Sequence, residues 1–454
     1  MVASQKLLEL RPSQLLAGVF IGIITTGAIA LKLPFSTYEG ISFVDALFTA
    51  TSATCVTGLM VADAGTVFTP FGQIVILALI QIGGLGIMTF STFFMIILGR
   101  SLSMKESSII FNAFDHGHKL SIRNLLRKVM LLTFSVELLG AVILFFRWLP
   151  DYGAGRALYY AVFHSISGFC NAGITLFPDS LLSFSEDFVV NGVIGTLIVI
   201  GSLGFLTIVE LQLFSERRRG RRRVPLSLNC KLVLIVTFSL IIICALLTFV
   251  MERSNVLAGM PLHDQVMASL FQSISRTAGF ITVDFHEFTN GSLYLYILLM
   301  FVGAAPGSVG GGIKVTTFGI LIALAFSRLK ARDTVNMMNR TVPDEIVSRS
   351  LSIMFVSVQI IVVFTLVLLY TESGGPTSPL HREMFMQIMF ETVSAFGTVG
   401  LSAGATSHLS EFGKVAITLL MLIGRLGPLA VTLAVGRRSA RGRFRYSEEN
   451  VMVG

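Results

Sequence analysis

The sequence predicts an all-α integral membrane protein of four tandem helix–pore loop–helix repeats, with eight spanning helices and four re-entrant half-helices around one central pore. Three observations carry that expectation. Of 454 residues, 53% are hydrophobic and only 13% charged, and several apolar runs exceed the ~18 residues that mark a spanning helix. One short pattern recurs four times along the chain. The glycine of each copy follows an apolar segment of about a dozen residues, too short to cross a ~30 Å hydrocarbon core at 1.5 Å per residue.

The four copies are Phe48 to Leu59 (F-T-A-T-S-A-T-C-V-T-G-L), Phe163 to Ile174 (F-H-S-I-S-G-F-C-N-A-G-I), Phe271 to Phe280 (F-Q-S-I-S-R-T-A-G-F) and Phe390 to Leu401 (F-E-T-V-S-A-F-G-T-V-G-L). Each has Phe, then Ser four residues later, then Gly before an apolar residue. The third is two residues shorter between Ser and Gly. Gly58, Gly173, Gly279 and Gly400 stand 115, 106 and 121 residues apart, and an internal repeat outranks other signals when an architecture is read.

Repeat one (1–115) has a helix near 14–33, a short apolar segment at 41–52, Gly58, and a long helix over 70–98. Repeat two (116–225) has a helix near 129–149, a short segment at 155–167, Gly173, and a helix over 188–214. Repeat three (226–335) runs 230–251, then 264–275, then Gly279, with a broken helix over 292–326. Repeat four (336–454) runs 347–371, 383–395, Gly400 and 411–436, and ends in a basic tail. The short segments fit half-helices leading into non-helical backbone, which exists at membrane depth only where it lines a polar cavity.

Eight spans put both termini on one side, and the basic residues test that topology. The N-terminus, the loops 99–128, 215–231 and 327–349, and the tail from Arg437 hold 25 of the 34 Lys and Arg residues. All lie opposite the predicted pore loops, so this side is cytoplasmic by the positive-inside rule. The run Arg217-Arg218-Arg219-Gly220-Arg221-Arg222-Arg223 fits topology and anionic lipid headgroups, or a docking surface for a cytosolic partner; nucleic acid is disfavoured. No cleavable signal is evident, because the first apolar segment is already of spanning length. Cys55, Cys170, Cys230 and Cys244 lack metal-site spacing and predict no disulfide.

The recurring glycines carry the functional reading. Thr398-Val399-Gly400 repeats the first three letters of the potassium-channel filter, in which backbone carbonyls replace an ion's hydration shell. Its counterparts are Val56-Thr57-Gly58, Asn171-Ala172-Gly173 and Thr277-Ala278-Gly279. Glycine lets consecutive carbonyls turn toward one axis; the plainer alternative is close helix packing. Asp63, Asp179 and Asp284 follow their glycines by five or six residues, as an acidic mouth or as ordinary loop carboxylates.

A second pattern, I-G-x-L-G, starts at Ile82, Ile200 and Ile423. In repeat three its place is taken by Gly303-Ala304-Ala305-Pro306-Gly307-Ser308-Val309-Gly310-Gly311-Gly312-Ile313-Lys314, which cannot hold a straight helix. It fails the phosphate-loop pattern because Ile313 separates Gly312 from Lys314, and no strand precedes it. A movable plug is one reading and a rigid kink the other. Arg425 occupies the variable place of I-G-x-L-G in mid-span, which costs ~2.5–3.5 kcal/mol on insertion scales. It reads as an electrostatic barrier beneath the glycines, or as an Arg satisfied by carbonyls between helices. Glu137 and Glu210 are weaker candidates, as ion-pair or interface residues.

With these residues quoted, the chain resembles the Trk/Ktr/HKT superfamily of potassium transporters, most of all the Ktr-type membrane subunit. The F-G-T-V-G-L and R-T-A-G-F stretches, N-A-G of the second loop, P-G-S-V-G-G-G-I-K and G-R-L-G-P carry the likeness. The resemblance implies K+ as the transported ion, a bacterial plasma-membrane location, a homodimer with one pore per protomer, and a cytosolic ring of nucleotide-binding (RCK/KTN-type) regulatory subunits. No organic cofactor and no enzymatic activity are expected, and Na+ coupling stays open. Glycine at position 58, where sodium-selective plant relatives carry Ser, implies potassium. An alternating-access carrier is the other reading, disfavoured because its usual mark is an inverted two-unit repeat.

Overall fold

The computed structural model describes residues 12–85, 122–219, 225–372 and 381–427. The first stretch forms α1 (Pro12–Lys32), α2 (Phe43–Thr54) and α3 (Pro70–Gly84). Next come α4 (Ile122–Phe169), α5 (Phe188–Ser202) and α6 (Phe205–Arg219), then α7 (Leu228–Glu252), α8 (Leu262–Ser275), α9 (Asn290–Phe301) and α10 (Val315–Leu329). A two-strand hairpin, β1 (Asn336–Met337) and β2 (Arg340–Thr341), leads to α11 (Asp344–Glu372), α12 (His381–Gly397) and α13 (Glu411–Leu426).

Local chemistry sets most of these boundaries. Ser42, Thr69, Ser227, Thr289 and Ser410 stand at helix N-caps, each hydroxyl accepting from an amide three residues on, which satisfies a donor the helix leaves free. The long α4 is two helices joined at a corner, with Pro150 inside it and Gly153 at φ +73°. Carboxylates at the ends of first helices clasp the start of later ones. Glu252 accepts from the amide and hydroxyl of Thr289 at 3.1 and 2.7 Å, and Glu372 from those of Ser410 at 2.9 and 2.6 Å.

The molecule is apolar on its flanks and carries many buried hydroxyls within its core. Among the described residues, three helices are long and apolar enough to cross a membrane: Arg127–Phe169, Leu228–Glu252 and Asp344–Glu372. Leu138, Phe146, Ile242, Val250, Phe355 and Leu366 project outward from them, each more than 60% exposed. Meanwhile Thr49, Thr51, Ser52, Ser165, Ser167, Thr392 and Ser394 on the short helices are fully buried. In water so large an apolar surface is a liability; in hydrocarbon it is the solvated face. The short helices pack against their neighbours: α1 on α2, α4 on α5, α7 on α8, and α12 between α9 and α13.

The structure corrects several helix lengths. The continuous helix expected over 188–214 is bent by 96° between α5 and α6, because Leu203 caps α5 and Gly204 takes φ +80°. The helix expected over 411–436 is interrupted after Leu426, where Gly427 takes φ +85°, and 428–436 lie outside the described residues. The helix expected over 70–98 is seen as α3 from Pro70 to Gly84, and 86–98 lie outside the described residues, as do the terminal basic residues and most of the loop 99–128. Interruption at this depth is therefore not confined to the glycine-rich loop. The four cysteines are free and buried.

Candidate functional site

The four recurring glycines meet head to tail. A β-carbon on Gly58 would overlap the carbonyl oxygen of Ala172, one on Gly173 that of Ala278, one on Gly279 that of Val399, and one on Gly400 that of Thr57. All four approaches are inside 3.0 Å, nearer than real β-carbons come to other atoms. Each clash is with the residue preceding the next glycine, so the series closes on itself. All four glycines have positive φ, from +66° to +98°. Both demands favour glycine and strain any other residue.

The approach to the ring is strained in three of the four segments. Val56, Asn171 and Thr398, each two residues before its glycine, sit at φ +53°, +57° and +49°. A β-branched residue there is a genuine outlier, and such strain persists only where the surroundings over-determine it. Here the serines do so. The Ser52 and Ser394 hydroxyls accept from the amides of Gly58 and Gly400 at 3.0 Å, and the carbonyls of Ser52, Ser167 and Ser394 accept from Thr57, Ala172 and Val399. The shorter third segment turns more tightly. There the Ser275 carbonyl takes both the Ala278 and Gly279 amides, at 2.8 and 2.9 Å, and no residue before Gly279 needs positive φ.

The glycine-rich loop 302–314 lies directly against this ring. It closes at its base, where the Gly303 amide donates to the Ile313 carbonyl at 2.8 Å, and Lys314 Nζ donates to the Gly310 carbonyl at 2.7 Å. Ala305-Pro306-Gly307-Ser308 form a turn, with Gly307 at φ +72°. On one side, the loop fills the break between α5 and α6. Ala305 and Val309 amides donate to the Ser202 and Gly201 carbonyls, and the Phe205 amide donates to the Gly307 carbonyl. Two carbonyls and one amide opened by the broken helix thereby find partners inside the protein. On the other side, the Gly311 amide donates to the Thr398 hydroxyl.

Arg425 joins the same cluster and is 6% exposed. Its Nη1 donates to the Val309 carbonyl in the loop and its Nη2 to the Gly83 carbonyl at the end of α3. Its two terminal nitrogens are thus held by carbonyls, one of them in the loop, while Nε has no protein partner. The first glycine of each I-G-x-L-G seats its helix on the end of the short helix before it. A β-carbon on Gly83, Gly201 or Gly424 would overlap the carbonyl of Thr54, Phe169 or Phe396, at the end of the short helix preceding it.

The comparisons with known proteins bear on what this cluster does. A family model described as "TrkH: Cation transport protein" matches residues 20–438. The chain belongs to this family. Ktr system potassium uptake protein B of Bacillus subtilis is 38% identical over 452 residues, covering 99% of this chain and 98% of that protein. The protein of the same name from Vibrio alginolyticus is 38% identical over 438 residues, 96% of this chain and 93% of its own. The potassium/sodium uptake protein NtpJ of Enterococcus hirae is 34% identical over 452 residues, 98% of each chain. The crystal structure of the potassium transporter TrkH from Vibrio parahaemolyticus shares the fold, with a TM-score of 0.71 at 20% identity over 93% of this chain and 84% of that one.

In this TrkH-family chain, two sets of residues escaped the sequence reading. The first follows the repeated Phe: Thr49, His164, Gln272 and Glu391, all fully buried. Glu391 accepts from Ser402 Oγ at 2.5 Å, the Ala403 amide at 3.0 Å and Thr406 Oγ1 at 2.5 Å. Gln272 Oε1 accepts from the amide and hydroxyl of Thr282, both at 3.3 Å, and His164 Nε2 from the Leu176 amide at 3.3 Å. The last three side chains brace the backbone just beyond their glycines, whereas the Thr49 hydroxyl has no partner. A polar letter after every repeated Phe was the available signal. The second is Arg276, buried at the end of α8.

Other expected residues have local duties. The carboxylates of Asp63, Asp179 and Asp284 each hold their own turn, accepting from Gly65, Ser183 and His286 amides. Glu137 receives Gln81 Nε2 at 3.2 Å, and Glu210 receives the amide and hydroxyl of Ser227 at 2.6 and 2.8 Å. Both fasten one helix to another. The side chains of Arg217 to Arg219 and all of 220–224 lie outside the described residues.

Proposed function

We propose that the chain is the ion-translocating membrane subunit of a bacterial potassium uptake system, with one pore lined by four filter loops. The observation that carries this reading is the closed glycine ring, in which each filter glycine faces the carbonyl before the next. Carbonyls gathered round one axis replace the hydration shell of a cation, and the short helices end beside them with their partial negative poles. Val56, Thr57, Gly58, Asn171, Ala172, Gly173, Thr277, Ala278, Gly279, Thr398, Val399 and Gly400 form the filter. Gly303, Pro306, Gly307, Gly310, Gly311, Gly312, Lys314 and Arg425 form the gate beneath it.

The four repeats divide the chain at 115, 225 and 335, and their first and second helices supply the spans. Both termini face the cytoplasm, in keeping with the distribution of Lys and Arg. Regulation comes from a cytosolic ring of nucleotide-binding subunits acting on a homodimer, a reading favoured by the relatives' names as parts of a Ktr system. The E. hirae relative, named for potassium and sodium, makes sodium a second cargo to test.

Flux into vesicles holding the purified full-length chain decides the matter. Rubidium tracer uptake driven by a potassium gradient, blocked by excess potassium and far less by sodium, is the expected result. Absence of any cation flux from folded protein, with and without a cytosolic nucleotide-binding partner, sinks the proposal.

A further inference from the structure

Arg276 directly precedes Thr277 and is 2% exposed. Its Nη1 donates to the carbonyl of Val302 at 2.6 Å and that of Leu299 at 3.2 Å. These two residues lie in and just past the last turn of α9, and Val302 is the residue from which the gate loop departs at Gly303. Carbonyls at a helix end lack intrahelical partners, and a cation there also meets the negative end of the helix dipole. Guanidinium stays charged in proteins, yet no salt bridge among the described residues includes Arg276. Its burial is tolerable only through hydrogen bonds of this kind.

The surroundings tie the same side chain to both machines. Nε of Arg276 and the hydroxyl of Thr237 have no protein partner, and both residues line a small space of about 10 Å³ shared with Ser202, Thr277, Gly303 and Ala304. That is room for one bridging water. Thr277 also takes Asn171 Nδ2 on its hydroxyl at 3.3 Å, which joins the third filter segment to the second. The far arm of the gate loop rests elsewhere, on Thr398.

We propose that Arg276 is a positioning residue that holds the third filter segment and the outer hinge of the gate loop as one body, so that cation preference and gate closure are set together. The inference rests on the filter and gate reading above. Without the guanidinium, the Val302 and Leu299 carbonyls lose their cationic donor, the hinge at Gly303 loosens, and Thr277 loses its fixed neighbour. A residue that merely stabilises the fold lowers yield and melting temperature. A residue with this role moves basal flux and the cation ratio in protein that is folded.

The test uses the full-length chain in vesicles of one composition, as native protein, Arg276→Gln, Arg276→Lys, a chain shortened within residues 304–311, and the shortened chain carrying Arg276→Gln. Rubidium uptake and the rubidium-to-sodium ratio are measured for each. Arg276→Gln is expected to raise basal uptake roughly tenfold, the shift that loss of one charge-assisted hydrogen bond gives a closed–open equilibrium, and to lower the ratio. Arg276→Lys, with a point charge that cannot serve both carbonyls, falls between. In the shortened chain Arg276→Gln adds no further uptake but still lowers the ratio. Native uptake and ratio in Arg276→Gln overturn the proposal, as they do in Arg276→Lys if the Gln variant fails to fold. A shortened chain at native flux defeats the gate reading itself, whereas a leaky shortened chain beside native-like Arg276 variants defeats only the role of Arg276.

Discussion

The Gly311 amide donates to the Thr398 hydroxyl at 2.9 Å, so the intramembrane loop is bonded to a residue two places before the fourth ring glycine. A β-carbon on Gly311 would overlap that same hydroxyl, which leaves no slack in the contact. Thr398→Val keeps the shape and removes the acceptor, stranding a buried amide at a cost of about 1–3 kcal/mol. Basal rubidium uptake is expected to rise several-fold in Thr398→Val and to stay near native in Thr398→Ser. Equal uptake in the two variants removes this contact from the gate.

Each ring glycine is held by a positive φ and by a neighbour's carbonyl. Gly→Ser at position 58, 173, 279 or 400 therefore adds a side chain where only a hydrogen fits and pushes one carbonyl off the axis. Every one of the four variants is expected to lose potassium preference, measured as the rubidium-to-sodium uptake ratio. Unchanged ratios in all four end the filter reading.

Gly204 lies where the loop fills the break between α5 and α6. Its φ is +80°, and a β-carbon there would come within 2.7 Å of the Pro306 carbonyl oxygen. Gly204→Ala strains the backbone by about 1–2 kcal/mol and drives the Pro306 turn away from its seat. The expected outcome is higher basal flux with normal expression. An Ala variant as tightly closed as the native chain separates the break from the gate.

Much of this arrangement was legible in the chain, for particular reasons. The fourfold recurrence of Phe, Ser and Gly survives in the letters because glycine alone meets both the φ and the carbonyl approach at positions 58, 173, 279 and 400. The loop at 303–314 was visible because so many glycines and Pro306 cannot continue a helix. The bend at Gly204 was not visible, since Leu203-Gly204 sits in an apolar run whose periodicity is that of an unbroken span. Partnership was hidden as well. Which carbonyls receive Arg276 and Arg425 depends on residues 26 and 116 positions away, and local pattern carries no such information. Glu391 drew no notice in the sequence, because its partners lie in the turn at 402–406 that folds back on it.

That turn gives a stability prediction. Glu391→Ala leaves the Ser402 hydroxyl, the Ala403 amide and the Thr406 hydroxyl without their acceptor in a fully buried place. At about 1–3 kcal/mol for each stranded group, the folded state is expected to lose several kcal/mol. Thermal unfolding in detergent checks it. Glu391→Gln, which keeps one acceptor oxygen, should melt between the native and Ala proteins; a Glu391→Ala melting temperature equal to native removes the brace.

Arg425 gives the last prediction, because its two hydrogen bonds run in different directions. One reaches the Val309 carbonyl in the loop and the other the Gly83 carbonyl at the end of α3. Arg425→Ala frees the loop and, on the proposed gate, also removes a fixed positive charge that would oppose cations strongly in a low-dielectric passage. Both effects raise flux. Shortening the loop within residues 304–311 should raise it more, since in Arg425→Ala the steric plug remains, seated on Ser202, Gly201 and Thr398. Arg425→Lys separates the two effects, because it keeps the charge but cannot span both carbonyls with a planar fork. If the charge is the barrier, Arg425→Lys stays closed; if the tether is, it leaks nearly as much as Arg425→Ala. Rubidium uptake at native levels in both Arg425→Ala and the loop-shortened chain, each verified as folded, excludes this cluster as the gate.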